Sequence, residues 1–108
     1  EAMKELLKKT PDMTAVFAMS DVTAMGAIRA IRDSGRRVPE DVSVLGFDGI
    51  EMGQYLVPRL TTIEQPGGRI AKQGVELLLQ CILEHKAASR VQIPFSLIVG
   101  ESTRELRM

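Results

Sequence analysis

Two short apolar runs, each closing on a polar, acidic pair, limit what this chain can fold into more than anything else in it. They are "AVFAM" at 15–19 and "VSVLGF" at 42–47. The first passes into Ser20 and Asp21, the second into Asp48 and Gly49. Between them lies "SDVTAMGAIRAIRDSG", 20–35, where Val22, Met25, Ala27, Ile28 and Ile31 recur at helical spacing. Ser and Asp are good helix caps, and Gly35 supplies a left-handed stop. Strand, helix, strand in this order predicts an α/β fold. Its parallel sheet is flanked by helices, with a right-handed crossover.

The remaining segments fit that plan. Residues 2–9 place Met3, Leu6 and Leu7 on one helical face. "DGIEMGQYLVP", 48–58, predicts a short helical turn, and "LTTIEQP", 60–66, a third extended piece. Pro66, Gly67 and Gly68 make a break. The longest helix is expected over 69–85, with Ile70, Val75, Leu78, Leu79, Ile82 and Leu83 toward the core. "VQIPFSLIVGEST", 91–103, reads as extended, with Pro94 barring central pairing.

Composition narrows the function classes. With 108 residues, 44% of them hydrophobic, the chain suits one domain or a piece of one. Fourteen basic side chains balance fourteen acidic ones, so net charge offers no grip on nucleic acid or an anionic membrane. No apolar run approaches the roughly 20 residues that a membrane span needs. Cys81 is the single cysteine, which excludes an internal disulfide. A buried thiol in a reducing, cytoplasmic setting is expected. His85 lies one helical turn from Cys81, where an ordinary helix face explains the spacing better than catalysis does. The two are too few for a structural zinc site, so no metal and no cofactor is expected. The chain opens "EAMKELLKK", already in mid-helix and without an initiator Met. It reads as a fragment of something longer.

In open parallel sheets, ligands bind beyond the carboxyl ends of the strands. Ser20, Asp21 and Asp48 are therefore the candidate ligand-binding residues. Carboxylates on such a rim suit a polyhydroxylated ligand, because each accepts two strong hydroxyl hydrogen bonds. Capping remains open for all three. Asp21 with Asp48 could serve as the paired carboxylates of a glycoside hydrolase. Nothing near either in the sequence points to a raised pKa. "QPGGRIAKQG" opens a helix but lacks the spacing of a phosphate loop. No catalytic constellation stands out, so the expectation is a binding protein and not an enzyme.

Over residues 14–103 the chain resembles the lac repressor/galactose repressor (LacI/GalR) family of bacterial transcription factors. The elements "SD…A…GA…A", "G…VPEDVSV.GFD", "P.LTTI.QP" and "IVGEST" occur in the family's order. The resemblance implies the C-terminal half of an effector-binding domain, with a periplasmic-binding-protein-like fold of two lobes around a cleft. It implies residues 1–62 in the C-terminal lobe. Residues 63–96 would be a hinge crossing and N-terminal-lobe segment, and 97–108 a return to the first lobe. Ser20 and Asp48 match positions that face the effector, usually a sugar or a nucleobase. Asp21 then reads more as a cap orienting that loop. Gly49 stands where many members carry Asn or Asp, and Gly100 where an arginine is common before "EST". The family also implies a homodimer, with Met25, Arg29, Tyr55 and Leu56 in its seam. Operator DNA would be read only by a helix-turn-helix preceding Glu1. The rival within the same fold is an exported sugar-binding protein of a transport system.

Overall fold

The computed structural model describes residues 1–106. The chain divides into two compact units, Glu1–Glu64 with the segment from Ser96 onward, and Gln65–Phe95. The first unit holds helix α1 (Ala2–Lys9), strand β1 (Ala15–Phe17), helix α2 (Asp21–Asp33), strand β2 (Ser43–Asp48), a 3-10 turn (Glu51–Tyr55), strand β3 (Thr61–Glu64) and strand β4 (Ser96–Ile98). The second holds helix α3 (Gly67–Leu83).

The sheet order is β1-β2-β3-β4. β1 pairs parallel with β2, and β2 with β3. β4, however, runs antiparallel to β3, so the sheet is mixed, where a parallel one was expected. The register gives the reason. Glu64, the last residue of β3, pairs with Ser96, the first of β4. The chain leaves the first unit and re-enters it at the same end of the sheet, so the returning strand must run backwards. β4 starts just past Pro94, whose missing N–H keeps it out of the ladder. β1 is shorter than its apolar run, stopping at Phe17.

The core lies where α1 and α2 pack on the sheet. Met3 and Leu7 of α1 meet Ala24, Ala27, Ile28, Ala30 and Ile31 of α2, with Val42, Val44 and Leu60 from β2 and the strand entries. Three alanines on the buried stripe let α2 approach closely. Asp21, Ala24, Ala27, Ile28 and Ile31 follow the i, i+3, i+6/i+7, i+10 pattern of one helix face. Val22 sits about 100° around from Asp21. It is 68% exposed, although it belongs to the apolar positions that recur at helical spacing. It shares a stripe with Met25 and Arg29 instead. At the helix end Gly35 takes φ +85, its N–H bonds to the Arg32 carbonyl at 2.9 Å, and the Arg36 N–H bonds to the Ile31 carbonyl at 3.2 Å. This is the double-bonded C-terminal motif that the glycine predicts.

The "EST" element works as a clamp on the strands. Ser102 is fully buried; its Oγ accepts the Thr61 N–H at 2.8 Å and donates to the Val44 carbonyl at 2.6 Å. Glu101 accepts from the Arg59 N–H at 3.0 Å and from the Arg59 guanidinium at 3.2 Å. Those bonds hold its carboxyl below the usual range. Gly100 precedes the clamp because a Cβ there would lie 2.6 Å from the Arg59 carbonyl oxygen and 2.7 Å from that of Leu60. No side chain fits at this position in this chain.

α3 differs from expectation. None of its residues is buried, and Ile70, Val75, Leu78, Leu79, Ile82 and Leu83 are all exposed. The helical period is as expected, but its unit contains no second helix or strand to cover the apolar face. Cys81 is half-buried, not enclosed.

Candidate ligand rim at the strand ends

The carboxyl ends of β1, β2 and β3 bring the candidate residues together around the start of α2. Ser20 is the N-cap of α2. Its backbone is extended, and its Oγ accepts the Thr23 N–H at 3.1 Å and donates to Thr23 Oγ1 at 2.9 Å. The cap is therefore Ser20 and not Asp21. Ser20 remains half-buried on the rim.

Asp21 is 0% exposed, and its carboxyl is engaged within the lobe. One oxygen accepts the N–H groups of Gly49 at 2.9 Å and Ile50 at 2.8 Å. The other accepts the hydroxyl of Thr62. Asp21 thus ties α2 to the loop after β2 and to β3. Gly46 gives it room, since a Cβ there would collide with Asp21 Oδ1 and come within 2.9 Å of Leu60 Cδ2.

Asp48 closes β2 with φ +132, a conformation that non-glycine residues rarely adopt. Such strain persists only where surrounding structure imposes it, and it gathers at functional sites. Here the two N–H groups that Asp21 captures follow Asp48 directly. Gly49 comes next at φ +79, and a Cβ on it would lie 2.8 Å from Glu64 Cα. Gly49→Ala is therefore expected to lose about 2 kcal/mol in urea unfolding, from backbone strain plus the close approach to Glu64. An unchanged midpoint would show that the loop relaxes freely.

Glu64, not singled out in the sequence, is the register partner of Asp48. Ser96 donates to its Oε2 at 3.1 Å. Nothing in the local pattern of "LTTIEQP" marks it; only the β2–β3 register and the return of β4 bring it to the rim. Among the described residues, no cluster of three His, Cys, Asp or Glu could hold a metal ion.

The proposed seam residues lie elsewhere, Met25 and Arg29 on α2, Tyr55 at the end of the 3-10 turn and Leu56 just after it. Met25 and Leu56 are half-buried, and Arg29 and Tyr55 exposed. Met25, Ile28, Arg29, Leu56 and Val57 line a concavity of about 450 Å³. Arg29 Nε pairs with Asp33 Oδ1 at 3.0 Å. The Tyr55 hydroxyl donates to Glu51 Oε1 at 2.7 Å, which raises its pKa.

Helices packed on a βαβ sheet, with acceptors at its strand ends, define an α/β lobe. Residues 1–103 match the periplasmic binding protein-like domain. The chain belongs to that family, in its LacI/GalR branch. It is 41% identical to the transcriptional regulator MalR of Clostridium butyricum over 102 residues, which is 94% of this chain and 30% of that protein. It resembles the structure of a CelR–cellobiose complex with a TM-score of 0.89 at 39% identity, covering 94% of this chain and 31% of that one. The lac repressor dimer bound to operator and an anti-inducer gives a TM-score of 0.87 at 33% identity, covering 94% and 36%. The chain spans about a third of the length of the curated relatives that it matches.

Proposed function

We propose that these residues are the C-terminal part of the effector-sensing domain of a bacterial transcriptional repressor. In this reading residues 1–62 and 97–108 belong to one lobe, and 63–96 cross the hinge into the other. The effector is a sugar or a similar small polar metabolite. Ser20 and Asp48 contact it, and Asp21 positions the Asp48 loop. The observation that carries this reading is Asp48, held in a strained conformation at the end of β2. Ligand binding favours one closure of the lobes. That biases how a homodimer presents DNA-reading heads that lie outside these 108 residues. Coupling of this kind typically amounts to about 1–3 kcal/mol.

The enclosure of Asp21 speaks against a hydrolase, since the second carboxylate of the Asp21–Asp48 pair cannot reach a glycosidic bond. Among the described residues no helix is long and apolar enough to cross a membrane. A repressor works in the cytoplasm, which is the location we assign. A thermal-shift screen of the intact gene product with cellobiose, lactose, ribose and purines tests the reading. At about 100 times its Kd an effector adds about 2.7 kcal/mol of stability. The same compound should change the retention of operator DNA. Turnover of a glycoside, or a bound ligand with no effect on DNA binding, would overturn the proposal.

The dimer assignment carries its own prediction. Met25 lies in the half-exposed stripe beside the Leu56–Val57 concavity, and a charge placed there would be desolvated on assembly. Met25→Glu is expected to weaken the dimer at least about tenfold, the equivalent of 1.4 kcal/mol. Sedimentation equilibrium reads this directly. An unchanged mass distribution would move the seam off α2.

A further inference from the structure

Glu64 occupies the space beside Asp48 from three directions. Its Cα is paired with that of Asp48 across adjacent parallel strands, an arrangement that puts both side chains on one face of the sheet. Thr62, two residues earlier, has its hydroxyl on Asp21 on that same face, and the strand period carries Glu64 along it. Gly49 leaves the room: a Cβ there would come within 3.0 Å of both Cβ and Cγ of Glu64. From the far side, Ser96 of the returning β4 holds Oε2 at 3.1 Å. The carboxyl is thus positioned and does not sweep freely through solvent.

We infer that Glu64 is a specificity-determining residue of the effector site. With Asp48 it forms a carboxylate pair that admits neutral polyhydroxylated ligands and turns away anionic ones, such as sugar phosphates and sugar acids. The inference rests on the reading of this rim as the effector site. Ionised carboxylates only accept hydrogen bonds. A ligand hydroxyl can donate to either, and a ligand with several hydroxyls can donate to both. A carboxylate group has no proton to offer near neutral pH, a phosphate monoester is mostly doubly ionised there, and either brings like charge to the pair. Rejection by an unpaired charge is a general route to selectivity between otherwise similar ligands.

Matched pairs of ligands test this by calorimetry on the intact gene product: ribose against ribose 5-phosphate, and glucose against glucuronate. The wild-type protein should prefer the neutral member of any pair it binds by at least tenfold. Glu64→Gln, which keeps the shape, should shrink that preference by at least fivefold. Ser96→Ala, which only frees the carboxyl, should shrink it less. Circular dichroism confirms folding of each variant. Equal affinity for neutral and anionic members, or a preference unchanged in Glu64→Gln, overturns the role of Glu64 and leaves the effector site standing. Silence from all four compounds, with cellobiose and lactose also silent, overturns the sugar reading of the rim and this inference with it.

Discussion

Alanine at position 21 is expected to destabilise the chain by about 4 kcal/mol, the largest loss of any single substitution considered. Asp21 is fully enclosed and accepts three hydrogen bonds, from Gly49, Ile50 and Thr62. Bonds to a charged acceptor contribute about 1.5–3 kcal/mol each, and a buried donor left without its acceptor costs about 1–3 kcal/mol. Alanine removes all three acceptor contacts together and leaves two adjacent backbone N–H groups without partners. Against a typical total stability of roughly 5–15 kcal/mol, this is enough to populate unfolded chains. Asparagine should behave differently. Its carbonyl can take the two N–H groups, and its amide can donate to the Thr62 hydroxyl, which then rotates. Asp21→Asn is expected to lose only about 1 kcal/mol. The sequence contains no Trp, so far-UV circular dichroism in urea is the natural probe. Equal losses in both variants would mean that charge and not bond geometry holds the loop. No loss with alanine would overturn the anchoring role.

That anchor also shows where sequence reasoning reaches its limit. α1, α2 and β2 were legible because their signals are local. Periodicity marked the helices, Ser20 and Gly35 marked the ends of α2, and a continuous apolar run marked β2. The strand-end position of Ser20 and Asp48 followed from the same local order. The partners of Asp21 lie 28, 29 and 41 residues away, and no spacing rule links them. Its position suggested a cap first, with ligand contact open and catalysis a remote alternative. Only burial separates those roles. Glu64 was missed for a related reason. It gains its meaning from register with Asp48 and from Ser96, which returns 32 residues later. The reversal of β4 is likewise a property of where the chain leaves and re-enters the sheet, which residue types do not encode. Spacing alone does not say which way Val22 faces. Its spacing to Met25 is helical, but the stripe that packs inward is set by Asp21, Ala24 and Ile28, one residue out of phase. The apolar period of α3 was read correctly, while its direction could not be, since a periodic face specifies that something should cover it and not what.

The loss of effector binding in Asp48→Ala should be about 100-fold, with a smaller effect on folding than at position 21. A hydrogen bond to an ionised acceptor is worth about 1.5–3 kcal/mol, and each 1.4 kcal/mol is tenfold in affinity, so two hydroxyls left unmatched account for the loss. Stability should fall less than at position 21, because the strain at φ +132 applies to alanine as it does to Asp, and the bonds to the Gly49 and Ile50 N–H groups come from Asp21. Asp48→Gly sharpens the test. Glycine adopts positive φ without steric cost, which offsets its greater entropy loss on folding. It should therefore fold at least as well as the alanine variant and bind equally poorly. The contrast with position 21 is the diagnostic. Substitution at Asp21 should lower stability and affinity together, because the loop that presents Asp48 collapses. Substitution at Asp48 should lower affinity far more than stability. Thermal shift with saturating effector, alongside urea unfolding without it, separates the two patterns. Wild-type affinity in Asp48→Ala would remove Asp48 from the contact set. A joint loss of folding and binding there would make it a structural residue, with the loop depending on its side chain as well as on Asp21.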